Sequence, residues 1–153
     1  MKLIGFKNIL TSTLLQYIAY SIFLLGYFNS ILFINEINPN FASSAILAAI
    51  HNVVIFIIPI IFSLVFINMS SRNKLKFSLQ NLTQKKAFIK LFLRLLIVVG
   101  LVLAGILLQV ITKGVYYPSK ILDFLLNSNI YLFAAIFPVS FAVFEAIGNR
   151  NDF

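Results

Sequence analysis

The sequence predicts an all-α integral membrane protein, a bundle of four transmembrane helices with both termini on the cytoplasmic side. Three observations carry that expectation. First, 61% of the 153 residues are hydrophobic and only 10% are charged, with a mean hydropathy of +1.00. A soluble domain carries roughly 25% charged residues to wet its surface, so most of this surface must meet lipid. Second, the apolar residues gather into four long runs. Third, the basic residues are distributed unevenly between the connections.

The runs are Ile9 to Ile34, Ala45 to Ile67, Phe88 to Ile111 and Ile130 to Ile147. A hydrocarbon core of about 30 Å takes about 20 residues of helix, so each run can cross. None alternates in the short apolar-polar pattern of barrel strands. Backbone amides inside lipid must bond within their own segment, which makes helices of all four. Lys2 and Lys7 precede the first run in the manner of a signal peptide. Its apolar region is too long for one, however, and no small-x-small cleavage site follows, so a retained span is expected. Pro118 to Asn129 allows two readings, a short helix lying at the interface or an extension of the fourth span. Tyr116, Tyr117 and Pro118 suit a turn at headgroup level.

Four spans place both termini and the 68–87 loop on one side. That side holds Lys2, Lys7, Arg72, Lys74, Lys76, Lys85, Lys86, Lys90, Arg94 and Arg150, against Lys113 and Lys120 on the other. Positive charge near spans stays in the cytoplasm. The polar stretch "RNKLKFSLQNLTQKK", residues 72–86, is therefore first a determinant of topology in an inner (plasma) membrane. Lys85, Lys86, Lys90 and Arg94 are candidates for contact with anionic lipids, since basic chains at a helix start can snorkel to phosphates. Lys86, Lys90 and Arg94 recur every four residues and form one stripe. Nucleic acid is not an expected partner, because Phe77 is the loop's lone aromatic and no reading motif is present. The sequons at Asn68 and Asn81 fall in the same loop and should stay unmodified.

Polar groups inside spans are the usual functional pointers. His51 and Asn52 lie in the second span. Gln16, Tyr17 and Tyr20 lie in the first, Gln109 in the third, and Arg94 and Glu145 near the cytoplasmic ends of the third and fourth. His51 is the sole histidine. No acid lies at its depth to complete a proton relay, and no further ligands complete a metal site, so an interhelical hydrogen bond is favoured. Arg94 and Glu145 are expected to approach each other between the third and fourth helices, the alternative being that each snorkels alone. Pro59 and Pro138 should kink their spans. Gly100 and Ala104 form a small-xxx-small pair that permits close helix approach.

The four acids, Glu36, Asp123, Glu145 and Asp152, form no cluster. There is no Gly-rich phosphate loop, no HExxH and no nucleophilic triad. With no cysteine, thiolate chemistry is excluded. No enzyme activity, cofactor or metal is expected. The segment "KLKFSLQNLTQKKAF", with Phe77, Ser78 and Asn81, and the ending "FEAIGNR" resemble an uncharacterised bacterial family of four-span membrane proteins, a domain-of-unknown-function group. The resemblance covers about the last two-thirds of the chain and implies the same fold without a known reaction. The expected function is an accessory, immunity-type or regulatory role beside another membrane component, through a membrane-protein partner or self-association. The alternative is an oligomeric small-solute transporter or channel, with His51, Asn52 and the proline kinks along its path.

Overall fold

A computed structural model describes residues 3–41, 44–70, 75–112 and 130–148. The 118–129 segment lies outside the described residues. Helix α1 runs Leu3–Ile37, and a 3-10 turn, Pro39–Phe41, follows it. The second span is α2, Ala45–Asn52, then a π-helical turn, Val53–Ile57, then α3, Ile58–Ser70. A 3-10 turn, Leu79–Thr83, leads to α4, Lys85–Thr112. The fourth span is α5, Ile130–Ala134, and α6, Ile136–Ile147, separated at Ala135. No strand occurs among the described residues.

All four spans are long and apolar enough to cross a membrane: Gly5–Ile37, Ala45–Ser70, Lys85–Ile111 and Ile130–Ile147. The first three helices run past the apolar cores read from sequence. Once a helix is nucleated, adding residues is easy, and polar side chains cost nothing beyond the hydrocarbon. At 1.5 Å per residue the 35-residue α1 is about 52 Å long, well over the ~30 Å of hydrocarbon.

Half of the fourth span is buried, against 17 to 28% of the apolar stretches of the other three, so it is the central post of the bundle. Helix α6 packs on α3 and α4, while α5 packs on α1 and α4. Helix α1 turns one stripe inward, made of Ile9, Thr13, Tyr17, Tyr20 and Leu24. These positions recur at three and four residues, which places them on one face. The α4 stripe is Lys90, Arg94, Val98 and Gly105.

That stripe corrects the expected role of Gly100 and Ala104. Both are exposed, and a methyl added at Gly100 would meet nothing within 4 Å. The close approach is at Gly105, where a Cβ would fall 2.4 Å from the Tyr131 ring. Gly105 continues the inward spacing from Val98, and Gly100 lies off it. Small residues allow contact only on the face that a neighbour occupies.

Candidate functional site

Three sets of polar contacts tie the spans together. The first is a buried charge cluster near the end where α1 and α4 begin. Arg94 Nη2 donates to Glu145 Oε2 at 3.0 Å, and Lys90 Nζ lies 2.8 Å from Glu145 Oε1. Each carboxylate oxygen thus faces one cation. Arg94 Nη1 donates to Ser12 Oγ at 2.6 Å and to Thr13 Oγ1 at 2.9 Å. The Thr13 hydroxyl in turn donates to the Ile9 carbonyl at 2.7 Å. The guanidinium carbon sits 5.1 Å from the centre of the Phe141 ring. One arginine on α4 therefore joins α1 and α6. Spacing explains it: Lys90 and Arg94 are four apart and share a face, and that face meets the fourth span.

Lys90 and Arg94 are only 8% and 6% exposed, so they turn away from the lipid phosphates they were expected to touch. The reason is energetic. Glu145 in the bundle would be an uncompensated buried charge, which is costly without a paired cation. Lys85 and Lys86 remain exposed at the start of α4.

The second set satisfies carbonyls left open where the second and fourth spans are interrupted. In the π turn, the Ile58 N–H donates to the Val53 carbonyl, five residues back. The next such bond would run from residue 59 to the Val54 carbonyl, but Pro59 has no N–H. The Tyr20 hydroxyl of α1 donates to Val54 O instead. In the fourth span, Ala135 N–H bonds the Leu132 carbonyl three residues back, which leaves the Tyr131 carbonyl without its α-helical donor. The Tyr17 hydroxyl donates to it at 2.9 Å. Pro138 then falls in the first turn of α6, where a missing N–H is tolerated. Ser63, fully buried, donates to Pro59 O at 2.7 Å and also reaches Phe137 O at 3.3 Å.

His51 belongs to a third contact. Its Nδ1 lies 2.7 Å from the Tyr27 hydroxyl, so α1 and α2 share an interhelical hydrogen bond. The rings of Tyr27 and Phe28 pack on the imidazole at centroid distances of 5.5 and 5.7 Å. Asn52, the next residue, is exposed. Among the described residues no group of three His, Cys, Asp or Glu side chains could hold a metal.

The polar loop also has a structural task. The Ser78 N–H and the Asn81 amide both donate to the Ile147 carbonyl at the end of α6, at 2.9 and 2.6 Å. Asn81 also donates to the Lys76 carbonyl at 3.1 Å. The Phe77 ring lies 3.2 Å from where a Gly148 Cβ would be. The Phe-Ser-x-x-Asn segment thus covers the C-terminal carbonyl of the fourth span, which would otherwise lack a partner.

Sequence reasoning named Arg94, Glu145 and His51 but missed the partners Lys90, Ser12, Thr13 and Tyr27. The only available signal was spacing. Thr13, Tyr17, Tyr20 and Tyr27 share one helical face, which marks a polar seam in α1. The chain matches no protein-family model, no curated protein and no solved structure.

Proposed function

We propose that this chain is a non-enzymatic, multi-pass protein of a bacterial inner (plasma) membrane, with both termini cytoplasmic. It works through helix contacts as an accessory, immunity-type or regulatory partner of another membrane component. One observation supports this reading above the others: the buried charges and the phenols of α1 brace the helices against one another. Arg94, Lys90 and Glu145 bond one another, while Tyr17 and Tyr20 bond backbone carbonyls and His51 bonds Tyr27. A carrier needs polar groups whose partners can exchange with a solute, whereas these hold helices in place. The outer faces, rich in Leu, Ile and Phe, are left for lipid or another helix.

A photo-reactive residue placed in turn at the exposed Ile22, Val65, Leu103 and Leu132 tests the reading in living cells. The expected result is one defined membrane-protein adduct from a subset of positions. Lack of an adduct at every position would overturn it. A protease-cleavable tag after Phe153 should survive protease added to intact cells and be cut after lysis. Cleavage from outside would refute the orientation.

The exposed Asn52, one residue from His51, favours the second reading, a small-solute path between copies. An exposed amide in lipid seeks a partner. Solute uptake by proteoliposomes above protein-free vesicles, abolished by Asn52→Leu, would establish that reading in place of the first.

A further inference from the structure

Helices α1 and α3 leave a groove of about 540 Å³ between them. Its walls are Leu15, Ala19 and Phe23 on one side and Phe62 and Phe66 on the other, with Phe137 as the floor. In a chain whose spans cross a membrane, such a groove between two outer helices faces lipid. Size decides what fits. A methylene occupies roughly what a water molecule does, about 30 Å³, so 540 Å³ holds on the order of eighteen methylenes. A helix about 10 Å across would fill the same volume in little more than one turn. The reach from Ser12 to Phe23 is about 16 Å at 1.5 Å per residue, the scale of one long hydrocarbon chain.

The groove is graded along its length. Its polar side chains, Ser12, Gln16 and Ser70, gather toward the end where α3 finishes, and aromatic rings line the remainder. Ser12 and Ser70 already donate to carbonyls of their own helices, at 3.3 and 2.8 Å. Gln16 differs: its Oε1 is buried and meets no donor among the described residues. A buried acceptor left unmade costs free energy, and a bare hydrocarbon chain cannot supply the missing donor. A lipid head can.

We infer that this groove is a binding site for one glycerophospholipid. One acyl chain lies between α1 and α3, and Gln16, which lines the groove, turns its shielded amide outward so that Oε1 accepts from a hydroxyl or amine of the head. The inference is independent of any protein partner. It sets the direction of the lipid: head toward the end that carries Lys85 and Lys86, tail toward Phe23.

The chain has no tryptophan, so a single one can report on one place. Phe62→Trp puts the reporter in the groove wall. Leu96→Trp, at a comparable depth on an exposed face of α4, reports on ordinary surrounding lipid. Each full-length variant is reconstituted in phosphatidylcholine with bromine-labelled acyl chains, which quench tryptophan. Unlabelled phosphatidylglycerol, whose head carries hydroxyl donors, is then added in rising fraction. The groove reporter should recover with a preference for phosphatidylglycerol of about three- to tenfold, the range one net hydrogen bond gives, and the Leu96→Trp reporter with none. Adding Gln16→Leu should remove the preference while leaving quenching by the labelled lipid intact. Equal curves at the two reporters would overturn the inference. So would a groove reporter that the bromine never quenches, since a protein helix would then occupy the site. Mass spectrometry of the unsubstituted chain released from detergent is an independent check. One phospholipid should be retained per chain and lost in Ala19→Phe; a chain that retains none would contradict the site.

Discussion

Glu145 receives two cations, and that makes its removal asymmetric. Glu145→Gln leaves Arg94 and Lys90 buried together, with a cost of about 3–5 kcal/mol for an unpaired buried charge. Replacing Arg94 as well should return part of the loss, because the second change removes the charge that the first one stranded. Thermal unfolding in detergent, run as a double-mutant cycle, should give a coupling above about 0.5 kcal/mol. Additive losses would mean that the two residues do not feel each other. The tyrosine braces give a second cycle. Tyr20→Phe should cost about 1 kcal/mol by leaving the Val54 carbonyl bare. In a Pro59→Ala background the N–H of residue 59 can take that carbonyl, and the cost of Tyr20→Phe should shrink. If it stayed the same size, the proline would not be the reason for the tyrosine. Of these contacts, the approach of Arg94 to Glu145 was readable from sequence, since two opposite charges at similar depth in lipid have few alternatives. Lys90 was not. Its place on the Arg94 stripe was visible, but the direction that stripe faces is set by where the fourth span packs, and no local signal carries that.

At the scale of elements, the third and fourth spans meet through a missing side chain. Gly105→Ala would place a methyl 2.4 Å from the Tyr131 ring, close to its root, where the ring cannot swing clear. Overpacking of this kind costs about 1–3 kcal/mol. Gly100→Ala meets nothing within 4 Å and should be neutral or stabilising, by up to about 1 kcal/mol from helix propensity. The melting temperature should therefore fall for Gly105→Ala and hold or rise for Gly100→Ala. The sequence suggested a small-residue contact but assigned it to Gly100 and Ala104, because spacing shows which residues share a face and leaves open which face is covered. The loop before α4 makes a related point. Phe77, Ser78 and Asn81 stand out in sequence as a motif, and their work is to close the end of α6. Asn81→Ala should speed proteolysis within residues 75–84 while leaving helix content by circular dichroism unchanged. An unchanged cleavage rate would show that the amide is dispensable for docking the loop.

For the whole molecule, the positions of the spans were legible because hydropathy is a property of each residue and needs no partner. The ends of the helices were less so, since α1 and α4 continue through polar residues that no longer meet hydrocarbon. The order of packing was not legible at all. The fourth span is the most enclosed, half of it buried, yet mean hydropathy does not single it out: its 2.0 lies between the 1.7 of the first span and the 2.6 and 2.8 of the second and third. Glu145 is tolerated in the fourth span because protein shelters it and two cations face it.

The two phenols of α1 add a consequence in time. A ribosome delivers the N-terminal segment first, so Tyr17 and Tyr20 are already in the bilayer when the Val54 and Tyr131 carbonyls emerge. Each interrupted span then finds its donor waiting and spends little time with a naked acceptor in oil. A gene rearranged so that the α1 segment is translated last should yield chains that become protease-resistant more slowly in pulse-chase labelling. Equal maturation rates would show that vectorial synthesis gains nothing from this arrangement.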